Sequence, residues 1–130
     1  MRKTAQFKIL IADDSAAVRR VIKTLLNDNS SEWVICGEAS NGEDAVRTVS
    51  DLHPDVILLD ISLPLLHGLE VAQIVKRDYS AVAVVLMSEQ DVPVLARMAE
   101  AAGTPHYLQK SRLTSDLIPM LRSLAGKRPA

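Results

Sequence analysis

Phe7-Lys8-Ile9-Leu10-Ile11-Ala12 runs directly into Asp13-Asp14, and Val56-Ile57-Leu58-Leu59 runs directly into Asp60. Both stretches are short, almost wholly apolar and rich in β-branched residues, and both stop abruptly at acid. Runs that are apolar at successive rather than alternate positions belong to strands buried on both faces, as in a parallel sheet covered by helices. Residues 81–87, which include Val82, Val84, Val85 and Leu86, form a third run of this kind. The more polar stretches 33–39 and 106–109 are expected to be edge strands.

Helical periodicity fills the intervals. Val18, Val21, Ile22, Leu25 and Leu26 recur at three- and four-residue spacing, with Arg19, Arg20 and Lys23 on the opposite face. Asn41 is a natural N-cap, followed by Glu43 and Asp44 at the positive end of the helix dipole and by Ala45, Val46 and Val49 as the buried stripe. Further helices are expected over 69–77 and 93–102, with Pro93 in the first turn and Gly103 as the stop. The last is expected over 116–125, begun so that Pro119 falls in its first turn, since an interior proline breaks a helix. Five βα units in succession predict an α/β fold, with parallel strands joined by right-handed crossovers into a three-layer sandwich.

At 130 residues the chain suits one domain, and 48% hydrophobic with 24% charged residues is a globular balance. A net charge of −1 and only 3% aromatic residues argue against a nucleic-acid or membrane surface. The single cysteine, Cys36, excludes an internal disulfide and is expected in the core; it suits a reducing compartment. The polar start, residues 1–6, does not resemble a signal peptide, and no segment reaches the length of a membrane span, so a cytoplasmic location is expected. Residues 1–125 are assigned to the domain and 126–130 to a tail or linker stub.

The polar residues carry the function. Asp13-Asp14, Asp60, Ser88 and Lys110 each follow one of four strands, and in an open parallel sheet ligands bind beyond those carboxyl ends. Alone, each has a plainer reading as turn former, helix cap or solvated side chain; together at one sheet edge they point to chemistry. Three neighbouring carboxylates repel one another, and a hard divalent cation such as Mg²⁺ or Mn²⁺ relieves the repulsion with oxygen ligands. Asp14 and Asp60 are the expected direct ligands, Asp13 acts through water, and the backbone carbonyl of Ser62 supplies another oxygen. Asp60 can then serve as a carboxylate nucleophile toward a phosphoryl group, with Lys110 and Ser88 contacting its oxygens.

These residues resemble the receiver domain of bacterial two-component response regulators. The resemblance rests on Ile9-Leu10-Ile11-Ala12-Asp13-Asp14-Ser15, Pro54-Asp55-Val56-Ile57-Leu58-Leu59-Asp60, Leu63-Pro64 with Gly68-Leu69-Glu70, Met87-Ser88 and Tyr107-Leu108-Gln109-Lys110. It implies a flavodoxin-like sheet of order 2-1-3-4-5, with Asp60 as phosphoacceptor from a histidine kinase or phosphotransfer protein. It further implies Asp13 and Asp14 as the acidic metal pair, and Ser88 with Tyr107 as a switch pair; read from the residues alone, Tyr107 is a packing residue on an edge strand. Gly37-Glu38-Ala39-Ser40-Asn41-Gly42-Glu43 resembles the branch usually fused to a LuxR-type helix-turn-helix domain, implying transcription regulation by a longer parent chain. The face formed by the fourth helix, fifth strand and fifth helix is then the expected output or self-association surface. Five positions depart from the pattern: His67 replaces a common acid, His106 a frequent glycine, Ser111 a proline, and Thr104-Pro105 is unusual in its loop. Glu89 and Gln90 are either tuners of dephosphorylation or plain loop residues.

Two other classes compete. An aspartate-nucleophile phosphatase would need a substrate pocket or cap insertion, for which the βα loops are short. A phosphorylation-independent binding module is disfavoured because no acid and no lysine of the set is missing. No glycine-rich nucleotide loop, zinc-ligand spacing or Gly-x-Ser-x-Gly turn is present.

Overall fold

The computed structural model describes residues 6–28 and 31–127. Its elements alternate without exception: β1 (Phe7–Ala12), α1 (Ala16–Asn27), β2 (Trp33–Ala39), α2 (Gly42–Leu52), β3 (Val56–Asp60), α3 (Gly68–Asp78), β4 (Ala83–Ser88), α4 (Val92–Ala102), β5 (His106–Gln109) and, after a 3-10 turn at Lys110–Arg112, α5 (Leu113–Lys127). The strands form one five-stranded parallel sheet in the order β2-β1-β3-β4-β5, with the two polar stretches at its edges as expected.

Successive side chains of a strand point to opposite faces, and the sheet divides accordingly. Ile9, Ile11, Val56, Leu58, Val85 and Met87 pack with Ile22 and Leu26 of α1 and Leu117 and Leu121 of α5. Leu10, Ala12, Ile57, Leu59, Val84 and Leu86 pack with Ala45, Val49, Val71, Val75, Leu95 and Ala99 on α2, α3 and α4. The continuous apolar runs are therefore apolar because both neighbours of every strand residue need a partner.

The last helix begins earlier than expected, at Leu113, so that Pro119 lies in its interior. Leu113, Leu117, Leu121 and Leu124 form a buried stripe that outweighs the proline. Pro119 sits on the exposed face, where water can take the carbonyl that its missing N–H leaves free. The same helix continues through Gly126 and Lys127, beyond the expected end of the domain. Of the remainder of the expected tail, 128–130, and of the polar start, 1–5, all lie outside the described residues. Val21 is a smaller departure: it faces solvent, and Ile22 and Leu26 carry the α1 stripe. Cys36 is half-buried rather than fully in the core, because the β1–β2 register skips it between Ile35 and Gly37 and leaves it on an irregularity of the edge strand.

Candidate functional site

Strand register brings the predicted residues together. Ala12 pairs with Leu59, Asp60 with Met87, and Ser88 with Gln109. Asp13, Asp60, Ser88 and Lys110 thus follow one another across the carboxyl edge of β1, β3, β4 and β5. Asp13 and Asp60 are fully buried, Ser88 is nearly so, and the Lys110 side chain is 12% exposed. Asp14 is exposed at the rim.

Lys110 Nζ lies 2.8 Å from Asp13 Oδ2 and 3.2 Å from Asp60 Oδ1. Asp13 Oδ1 accepts from the Ser15 N–H at 2.9 Å, and Ser15 Oγ in turn caps α1 through the Val18 N–H. Asp60 Oδ1 accepts from both the N–H and the hydroxyl of Ser62, each at 3.0 Å. Asp60 Oδ2 is different: it is buried and no donor among the described residues reaches it. Burial pushes the Asp13 carboxyl above its usual range, and Lys110 beside it offsets this only in part. For Lys110, burial works against the charge, but the pairs with Asp13 and Asp60 outweigh it and raise the ammonium pKa.

Each of Asp13, Asp14 and Asp60 offers an oxygen within 4.8 Å of the others. Three carboxylates, two of them buried, face one ammonium and leave negative charge uncompensated, and Asp60 Oδ2 is an acceptor without a donor among the described residues. An all-oxygen donor set of this kind fits a hard divalent cation. A cavity of about 350 Å³ opens over Asp60, lined also by Ser62, His67, Ser88, Gln90 and Lys110, large enough for a phosphoryl group.

The two residues expected to form a switch pair, Ser88 and Tyr107, are placed as follows. Ser88 Oγ accepts from the Gln90 N–H at 3.1 Å, so the hydroxyl is engaged with the β4–α4 loop. Gln109 Nε2 donates to the Gln90 carbonyl at 3.1 Å and ties that loop to β5. Tyr107 is half-buried against the core on the α4 side. It borders a cavity of about 380 Å³ with Ala96, Ala99, Glu100, Gly103 and Thr104.

Several contributors were not legible as such. Thr104, noted only as an unusual loop residue, is buried; its hydroxyl donates to the Val84 carbonyl at 2.6 Å and accepts from the His106 N–H at 3.2 Å, joining β4 to β5. His67 caps α3, its Nδ1 accepting from the Leu69 N–H at 3.3 Å. An aromatic ring seldom serves as a cap, so nothing in the residue type signalled it. His106 has its pKa lowered by burial first and by Lys127 and Lys76 second. A histidine with a depressed folded pKa contributes stability above its unfolded pKa and loses it as the pH falls through the folded value. The melting temperature of the protein should therefore fall faster between about pH 7 and pH 5 than that of His106→Gln, the range in which histidine titrates. Parallel curves would show that His106 charges freely in the folded state.

A sequence profile of the response regulator receiver domain matches residues 9–122. The response regulator UvrY of Escherichia coli (strain K12) is 34% identical over 124 residues, covering 92% of this chain and 55% of that protein. The transcriptional regulatory protein YdfI of Bacillus subtilis (strain 168) is 34% identical over 110 residues, covering 85% of this chain and 51% of that protein. Among solved structures, the signal receiver domain of the response regulator NarL from Mycobacterium tuberculosis superimposes with a TM-score of 0.84 at 27% identity, covering 96% of this chain and 100% of that one. The chain spans about half the length of these two regulators. Fold, site and relatives agree: the chain belongs to the response regulator receiver domain family and is a receiver domain of the two-component type.

Proposed function

We propose that Asp60 is the phosphoacceptor of this domain, and that Asp13, Asp14 and Asp60, with the carbonyl of Ser62, hold Mg²⁺ or Mn²⁺. The observation that carries the reading is the Asp60 carboxylate itself. Its Oδ1 is fixed by Lys110 and by both donors of Ser62, while its Oδ2 is buried with no donor among the described residues, in a residue that lines the cavity. A carboxylate immobilised by one oxygen presents the other in a single orientation, which is the positional part of nucleophilic catalysis. Oδ2 attacks phosphorus; the bond from phosphorus to the donor's imidazole nitrogen breaks, and that nitrogen leaves with the electron pair and takes up a proton. When bound, the cation neutralises charge on the carboxylates and on the transferring oxygens. Lys110 is already within ion-pair distance of Asp60 and supplies a positive charge to a phosphoryl oxygen.

The phosphorylated state offers Ser88 a new partner. Its hydroxyl can leave the Gln90 N–H and donate to a phosphoryl oxygen, with Tyr107 turning inward beside α4. We read α4, β5 and α5 as the face that reports this change, to an output domain or to a second copy. The phosphodonor is a histidine kinase or a phosphotransfer protein, and the location cytoplasmic; no described helix is long and apolar enough to cross a membrane. The relatives' greater length supports a parent chain with an output domain, of transcription-regulating type by similarity to YdfI. The domain's chemistry is then one transfer to itself, the act of a switch rather than of an enzyme with a diffusing substrate.

Incubation with acetyl phosphate and Mg²⁺ should place close to one acid-stable, base-labile phosphoryl group on each chain, and EDTA should abolish the reaction. Equal labelling with and without the chelator would contradict the cation's role; no labelling in either would contradict the phosphoacceptor.

A further inference from the structure

Arg19 takes no part in the chemistry above, yet it grips the loop that carries the acids. Its Nη1 donates to the backbone carbonyl of Asp13 at 2.7 Å, and its Nε donates to Glu38 Oε1 at 3.0 Å. The Arg19 side chain is only 20% exposed. Glu38 precedes Ala39, the last residue of β2, whose carbonyl accepts the Asp13 N–H at 3.0 Å. Lys23, one turn further along α1, holds the other Glu38 oxygen at 3.1 Å. Burial opposes the charge on Glu38, but Lys23 and Arg19 together outweigh it and keep the carboxyl below its usual range. One guanidinium thus ties α1 and the end of β2 to the peptide that joins Asp13 to Asp14. That peptide lies between β1 and α1 and has no strand or helix ladder to hold it.

We propose that Arg19, anchored by Glu38, is a positioning residue for the cation site: it sets the backbone from which Asp13 and Asp14 present their carboxylates. This rests on the reading of Asp13, Asp14 and Asp60 as that site. The plain alternative is a surface ion pair of small consequence. Two features oppose it: the Arg19 side chain is largely covered, and one of its donors is spent on the main-chain oxygen of Asp13. Arginine's rigid fork suits the task, since it reaches two acceptors in fixed relation; a lysine ammonium is a point charge on a flexible stem.

Electrostatics and positioning predict opposite signs here. A fixed positive charge near a cation site repels the cation, so removing Arg19 should tighten binding if charge alone matters. If the residue positions the acids, removing it weakens binding, by about tenfold or more as is usual for groups that orient metal ligands. Mn²⁺ titration followed by electron paramagnetic resonance reads this directly. Arg19→Gln and Arg19→Lys should both bind Mn²⁺ about tenfold or more weakly. Lys23→Gln, which loses the contact to Glu38 but none to Asp13, should stay within about twofold because its charge is exposed and screened. Thermal melts of the same samples confirm folding, and if Arg19→Gln does not fold, the charge-conserving Arg19→Lys decides. Binding by the variants as tight as, or tighter than, that of the unaltered protein would overturn the positioning role alone. Unaltered protein that takes up no Mn²⁺ would overturn both that role and the cation site beneath it.

Discussion

Asp60→Asn is expected to take no phosphoryl group from acetyl phosphate while keeping the fold. Asparagine has the same shape, and its carbonyl oxygen can still accept from the N–H and hydroxyl of Ser62. What it lacks is the second carboxylate oxygen. In place of Asp60 Oδ2, which is buried and without a donor, stands an amide nitrogen with no nucleophilic electron pair. The loss is therefore of kind rather than degree: labelling should fall to background and not merely slow. The neutral side chain also removes one of the three carboxylates that converge within 4.8 Å, so Mn²⁺ affinity should fall with it. Folding should survive, because two carboxylates and Lys110 remain and one source of repulsion at the edge is gone. Labelling of Asp60→Asn at the rate of the unaltered protein would mean that another group accepts the phosphoryl.

The second large effect concerns Gly68, which begins α3 directly above the site. A Cβ at this position would lie 2.4 Å from the Asp60 carbonyl oxygen, 2.6 Å from Ile61 Cα and 2.7 Å from the Ile61 oxygen. Those are main-chain atoms and cannot rotate away. The Gly68 N–H also donates to the Ile61 carbonyl at 3.2 Å, so the two segments are bonded where they touch. Glycine is needed for close approach rather than for an unusual φ. Forcing extra volume into a packed site costs about 1–3 kcal/mol, and a backbone neighbour puts Gly68→Ala at the upper end. For a domain of this size that is a fall of about 10 °C in Tm. The strain falls on Asp60 and Ile61, so cation affinity should drop together with stability. Gly126, with nothing within 4 Å of its would-be Cβ, is the control: Gly126→Ala should leave cation affinity unchanged. A Gly68→Ala protein that melts like the unaltered one would show that the β3–α3 loop can lift off the site.

Both effects stand at one place, but only one of them was legible in the residue types. Strands β1 and β3 announce themselves because nearly every position is buried and, Lys8 and Asp60 apart, apolar. The acids, Ser88 and Lys110 announce themselves because polar residues end such strands at a common edge. Gly68 could be read as part of a family pattern, whereas its reason is an approach to a strand eight residues earlier in the chain, which no local signal encodes. Pro119 was placed by its own chemistry, and the four buried leucines of α5 overrode it. Arg19 looked like one of several cations on the outer face of α1; its turn inward toward Asp13 depends on where β2 ends. Thr104 and His67 stood out only as departures from the family pattern, and only through-space hydrogen bonds give them structural tasks. Composition and periodicity thus locate elements and the side of the sheet on which chemistry occurs. Residues that act by touching a distant main chain carry no mark of it.

The proposed phosphoacceptor can be tested directly. Hydroxylamine converts an acyl phosphate into a hydroxamate at the residue that carried it, and peptide mass spectrometry then locates the change. After reaction with acetyl phosphate and Mg²⁺, the hydroxamate should appear at Asp60, with Asp13 and Asp14 unmodified. A hydroxamate at Asp13 or Asp14, or a phosphate on Ser88 that survives hydroxylamine, would contradict the account.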